Sequence, residues 1–145
     1  MDYDLTKCIG FVTNNVVKTV TDDFNRRLEK CGSTRIQWIA MYFLLRAETP
    51  IGQKELAELM NIKDSSLARL IDRMERGGLI KRIENTKDKR AKFLKLTDFG
   101  QFKANELMPM GKEFNDILLR NITNEELENL QIVFNKMLNN TSGWD

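Results

Sequence analysis

The sequence predicts a mainly α-helical chain with one small β-hairpin, and three observations predict it. Apolar residues recur at steps of three and four over most of the chain, the period of one helical face. A single pair of short runs, Leu79 to Glu84 and Ala91 to Thr97, flanks a polar turn in the manner of a hairpin. Capping residues, glycines and prolines stand where the periodic stretches begin and end. At 145 residues the chain fits one domain, or one small module with further helices built around it.

The elements follow in order. From Leu5 onward, Leu5, Ile9, Val12, Val16, Val20, Phe24 and Leu28 mark a long helix with one apolar seam, stopped at Gly32. Ser33-Thr34 followed by Gln37 resembles a capped helix start, and the helix it opens holds Trp38, Ile39, Met41, Phe43 and Leu44, apolar on most sides. Pro50-Ile51-Gly52 is read as its break. Gln53 to Met60 is a short helix with Leu56, Ala57, Leu59 and Met60 facing inward, and after the Asn61-Ile62 turn a longer one runs to about Arg76. At 100° per residue that longer helix puts Leu67, Leu70, Ile71 and Met74 on one side, and Ser65, Arg69, Asp72 and Arg76 on the other, with Arg73 at the flank. Two short helices joined by a tight turn, the second with a polar, arginine-bearing face, make a helix-turn-helix. The hairpin after Gly77-Gly78 has Leu94 and Leu96 on one face, Phe93 and Lys95 on the other, and the charged tip Asn85 to Arg90, the shape of a wing. Thr97 caps a further helix that Pro109 should kink. Thr123 and Glu126 form a capping box for the last helix, striped by Leu127, Leu130, Phe134, Met137 and Leu138.

Charge is unevenly distributed. The net charge is +2, yet residues 63–97 hold eleven basic side chains against five acidic ones, while residues 98–145 hold four against eight. A basic middle beside an acidic end suggests that one surface meets a polyanion, with a merely solvated charged face as the competing reading. The chain has no histidine, which removes the usual general base and excludes Ser-His-Asp and Cys-His designs. Cys8 and Cys31 lack paired spacing, so neither a metal site nor a cofactor is expected. No apolar run approaches the roughly 20 residues of a membrane span, and Asp2 and Asp4 precede no hydrophobic signal region, so a cytoplasmic protein without a membrane partner is expected.

The segment LAELMNIKDSSLARLIDRMERGGLIKRIENTKDKRAKFLKLTDFG resembles the core of MarR-type regulators. The likeness is carried by Leu56-Ala57, by the run Leu70, Asp72, Arg73, Gly78 and Leu79, by Asp88 and Arg90 at the wing tip, and by the exit Leu96, Thr97 and Gly100. It implies a winged helix-turn-helix lobe over residues 33–97, with residues 1–32 and 98–145 forming a helical dimerisation region. It also implies a homodimeric regulator of transcription on duplex DNA, in the repressor sense, on an inverted repeat. One departure is visible: the family often places Ser or Thr at the entrance of the second helix, where this chain has Lys63, so Asp64 is the alternative cap.

The site expected from these readings has three parts. In the major groove, Arg69 would meet a guanine edge, and Ser65 or Ser66 a base or phosphate. Lys63, Arg73 and Arg76 belong to the same DNA-binding set, the two arginines on phosphates. In the wing, Lys87, Lys89 and Arg90 are expected at DNA, with Asp88 orienting Arg90 by a charged hydrogen bond. A small aromatic or anionic effector is implied in a pocket between the lobe and the dimer helices, bordered by Trp38, Met41, Tyr42 and Arg46, with ordinary core packing as the competing reading of the apolar three. Two other functions compete. An enzyme's dimerisation module is disfavoured by length, and a winged helix that binds only protein would tolerate charge reversal in its wing.

Overall fold

The computed structural model describes residues 3–143. The chain divides into two compact units, Met1–Gly111 and Lys112–Asp145. The elements are α1 (Ile9–Glu29), α2 (Arg35–Arg46), β1 (Ile51–Gly52), α3 (Gln53–Met60), α4 (Asp64–Arg76), β2 (Ile80–Glu84), β3 (Lys92–Leu96), α5 (Asp98–Leu118) and α6 (Asn124–Thr141). The fold class is as expected, mainly helical with a small antiparallel sheet. Among the described residues no helix is long and apolar enough to cross a membrane.

Three local differences from the sequence reading have physical causes. Leu5–Lys7 form a single 3-10 turn capped by Asp4, and Cys8 takes an extended conformation before α1 begins at Ile9. The Pro50-Ile51-Gly52 break contains a strand, because Ile51 and Gly52 pair with Leu94 and Phe93. The sheet is therefore three-stranded, in the order β1-β3-β2, with β2 and β3 in register from Ile80↔Leu96 to Glu84↔Lys92. In α3, Leu56 and Ala57 are buried as expected, but Leu59 is exposed, since an eight-residue helix lying on α2 and α4 covers only one of its faces.

The core of the first unit is built where the periodicity placed it. Leu67, Leu70, Ile71 and Met74 of α4 are buried together with Leu28, Met41, Leu44, Leu56, Ile80, Leu94, Leu96 and Leu107. The seam of α1 behaves differently along its length. Phe24 and Leu28 are buried, whereas Ile9, Val12 and Val16 are exposed, Ile9 and Val16 at 57% each. In the second unit Ile122, Leu130, Ile132, Val133 and Leu138 are likewise exposed.

Helix starts are fixed by side chains the sequence shows. At α2, Thr34 Oγ1 accepts the Gln37 N–H at 3.3 Å while Gln37 Oε1 accepts the Thr34 N–H at 3.1 Å, a reciprocal capping box. Thr34→Ala should lower unfolding free energy by ~1 kcal/mol, read from denaturant midpoints at constant slope. The box at Thr123 and Glu126 has the same form. There the Thr123 backbone N–H foremost, and then its hydroxyl, hold Glu126 below the ordinary glutamate value. A depressed carboxyl stabilises the fold above the unfolded pKa and loses that contribution as pH falls through the folded one, so the first turn of α6 should fray on acidification below that range. Amide exchange in that turn reads it.

Candidate nucleic-acid interface

α3 and α4 are joined by a turn whose geometry is local. Asn61 closes α3 in the left-handed region at φ 51°, its N–H on the carbonyls of Ala57 and Glu58, and this turns the chain into α4 within three residues. Lys63 is then the N-cap of α4, with no side-chain cap bond, and Asp64 is the first helical residue rather than the cap. Its carboxylate in the first turn still favours the helix dipole. This fixes the helix phase that the sequence left open: Ser65 and Ser66 are both exposed, and Ser66 shares a shallow concavity with Arg69, Asp72, Arg73 and Arg76. Lys63, Arg69, Arg73 and Arg76 are all exposed; Arg69 and Arg76 lie opposite the buried stripe of α4, Arg73 at its flank, and Lys63 at the helix entrance.

The wing is held by its own turn residues. Asn85 Oδ1 accepts the N–H groups of Lys87 and Asp88 at 2.9 and 3.2 Å, and Asp88 Oδ1 accepts the Arg90 N–H at 2.9 Å. Asp88 thus shapes the backbone at Arg90 and, among the described residues, does not form the expected charged bond to its guanidinium. Lys87, Lys89 and Arg90 are exposed at this tip.

Sequence reasoning missed one arginine. Arg82 of β2 reaches from the sheet to α4, pairing with Asp72 at 2.5 Å and with Glu75, whose other oxygen accepts the Arg82 backbone N–H at 3.4 Å. The hydrogen bond to Asp72 foremost raises the guanidinium above its already high ordinary value. The partners stand seven and ten residues away on another element. The readable signal was the pair of carboxylates three apart on α4, which left their charge unexplained on a basic face.

Of the four residues expected to border an effector pocket, three form a row on α2 and one lines a cleft. Trp38, Tyr42 and Arg46 form a row on α2, with rings 6.1 Å apart and the Arg46 guanidinium carbon 5.2 Å from the Tyr42 ring centre. Trp38 Nε1 donates to the Leu107 carbonyl at 2.9 Å and its ring lies against Gly111, so its polar handle is satisfied by α5. Met41 lines a cleft of about 170 Å³ together with Gln37, Arg73, Phe99, Lys103 and Leu107. Arg73 therefore borders both this cleft and the concavity on α4. Among the described residues no cluster of acidic, cysteine or histidine side chains could hold a metal.

A helix-turn-helix followed directly by a two-stranded hairpin with an exposed tip defines a winged helix-turn-helix lobe. Residues 34–92 match the model of the MarR family. The chain is 29% identical over 125 residues to the HTH-type transcriptional regulator YwoH of Bacillus subtilis (strain 168), covering 86% of this chain and 90% of that one. The fold is that of the S. aureus MepR–DNA complex (TM-score 0.85, 19% identity, 96% of this chain and 99% of that chain). It is also that of AbsC, a MarR family transcriptional regulator from Streptomyces coelicolor (TM-score 0.85, 20% identity, 99% of each chain). A mutant E. coli MarR complexed with operator DNA matches at TM-score 0.81 and 24% identity, over 92% of this chain and 95% of that chain.

Proposed function

We propose that this chain is a transcriptional regulator that binds duplex DNA sequence-specifically, as a homodimeric repressor on an inverted repeat, without enzymatic activity. The observation that carries the reading is the outward face of α4, where Ser66, Arg69, Arg73 and Arg76 share one concavity, in the segment that holds eleven of the chain's 23 Lys and Arg residues. In this reading α4 enters the major groove and Arg90 on the wing reaches the adjacent minor groove. Solved DNA complexes of MepR and MarR, which share the fold, support the same use of it.

Residues 33–97 serve as the reading lobe, and residues 1–32 and 98–145 as the dimerisation region. Support for the dimer lies in the exposed apolar residues of each unit taken by itself, Ile9, Val12 and Val16 at helical spacing on α1 in the first and Leu130, Val133 and Leu138 on α6 in the second. The effector is a small anion with an apolar or aromatic body. The cleft lined by Met41, Phe99 and Leu107 with Arg73 and Lys103 fits that chemistry, and occupying it would draw Arg73 from a phosphate.

Sedimentation at micromolar concentration should report twice the chain mass. A gel shift should show preference for inverted half-sites with centres about 10 base pairs apart. A persistent monomer would overturn the dimer, and the absence of any shift with duplex would favour a winged helix that docks on protein, for which reversing the charges of Lys87, Lys89 and Arg90 should be harmless.

A further inference from the structure

One carboxylate, Asp72, stands on the helix face that the proposed function turns toward phosphates, and a second, Glu75, flanks that face on the side of β2. Asp72 lies in the same concavity as Ser66, Arg69, Arg73 and Arg76 with its side chain 59% exposed, and Glu75 follows three residues later at 39%. Bare carboxylates there would oppose the approach of a polyanion. Arg82 meets both. One terminal nitrogen is bonded to Asp72 and the other to Glu75, and the side chain, 28% exposed, is the most enclosed of the three. A planar guanidinium can bridge two acceptors one helical turn apart, whereas a lysine ammonium is a single point charge on a flexible stem.

We propose that Arg82 is a positioning residue for DNA binding: it masks Asp72 and Glu75 from the phosphates and ties the base of the wing to α4, without meeting DNA itself. The inference rests on α4 being the DNA-facing helix. The trio carries one positive and two negative charges, so removing Arg82 exposes a net charge of −2, and neutralising the carboxylates with Arg82 in place leaves +1. A purely architectural ion pair predicts weaker binding whichever partner is lost. Masking predicts opposite signs for the two losses.

The test uses the full chain and a random-sequence duplex, with affinity read by fluorescence anisotropy and folding by thermal midpoint. Arg82→Gln should weaken binding about tenfold, and Arg82→Lys should fall between it and wild type. Asp72→Asn/Glu75→Gln should bind about threefold more tightly than wild type, and adding both to Arg82→Gln should recover most of its loss. A triple variant as weak as Arg82→Gln would overturn the masking role, as would weaker binding by the Asp72→Asn/Glu75→Gln protein. Should Arg82→Gln fail to fold, the tightening of Asp72→Asn/Glu75→Gln decides alone. Wild type that binds no duplex would refute the DNA-binding reading itself and this inference with it, whereas a wild type that binds, with no rescue, refutes only the role of Arg82.

Discussion

Gly100→Ala should lower the thermal midpoint by about 10 °C, corresponding to about 3 kcal/mol of unfolding free energy, the upper range for forcing atoms into a packed site. A Cβ at this position would lie 1.9 Å from the carbonyl oxygen of Leu79 and 2.8 Å from its carbon. Both are backbone atoms, so no side chain can swing aside. The neighbourhood is also fixed by hydrogen bonds. The Leu79 carbonyl accepts the Thr97 N–H at 3.1 Å, the Thr97 hydroxyl donates to the Gly78 carbonyl, and the same hydroxyl oxygen accepts the Gly100 N–H at 3.0 Å. The first turn of α5 is thereby pinned on the chain just before β2, and a methyl group must part them. The check is a calorimetric or circular-dichroism melt of the variant, in which an unchanged midpoint would show that α5 can shift without cost.

The second large effect is expected in DNA recognition. Arg69→Ala should lose about 1–3 kcal/mol of discrimination at one base pair of the preferred site while retaining most non-specific affinity. Arg73→Ala should weaken all duplexes alike and reduce the slope of log affinity against log salt by about 1. Both side chains border the same concavity on α4, outside its buried stripe, so neither change removes core packing. The proposed separation into base and phosphate roles rests on position on the helix: Arg69 stands one turn after Ser65, on the outermost face, and Arg73 lies at the flank beside the cleft with Lys103. Titrations of a matched and a single-mismatch duplex at several salt concentrations separate the two. Equal behaviour of both variants on specific and random DNA would mean that α4 does not lie in the groove.

How much of this was legible depended on whether the determining contacts were local. The apolar stripe Leu67, Leu70, Ile71 and Met74 could be read from spacing alone, because a helix imposes one phase on all its side chains, and all four are buried. The capping boxes at Thr34 and Thr123 could be read for the same reason, since each joins residues three apart. β1 could not. Two residues carry no periodicity, and Ile51 becomes a strand only because Leu94, more than forty positions on, lies beside it. Arg82 was hidden likewise, as its partners are chosen by how β2 sits on α4. For Trp38 and Tyr42 the sequence favours core packing over a ligand contact without naming a partner, and only the distance from the indole nitrogen to the Leu107 carbonyl shows where that polar group is satisfied. On α1 the seam was legible but not its cover: Phe24 and Leu28 find it within the chain and Ile9 and Val16 do not.

The three-stranded sheet bears on how the chain avoids unwanted polymers. Sheet proteins can grow into fibres by adding a strand at a bare edge. Here β3 is flanked on both sides, so the edges are β1 and β2. β1 offers two residues, Ile51 and Gly52, too few to template an incoming strand, and β2 carries Lys81, Arg82 and Glu84 in five residues, charges that an added strand would have to accommodate and that, in parallel register, would each meet their like. Ladder growth is blocked at both borders.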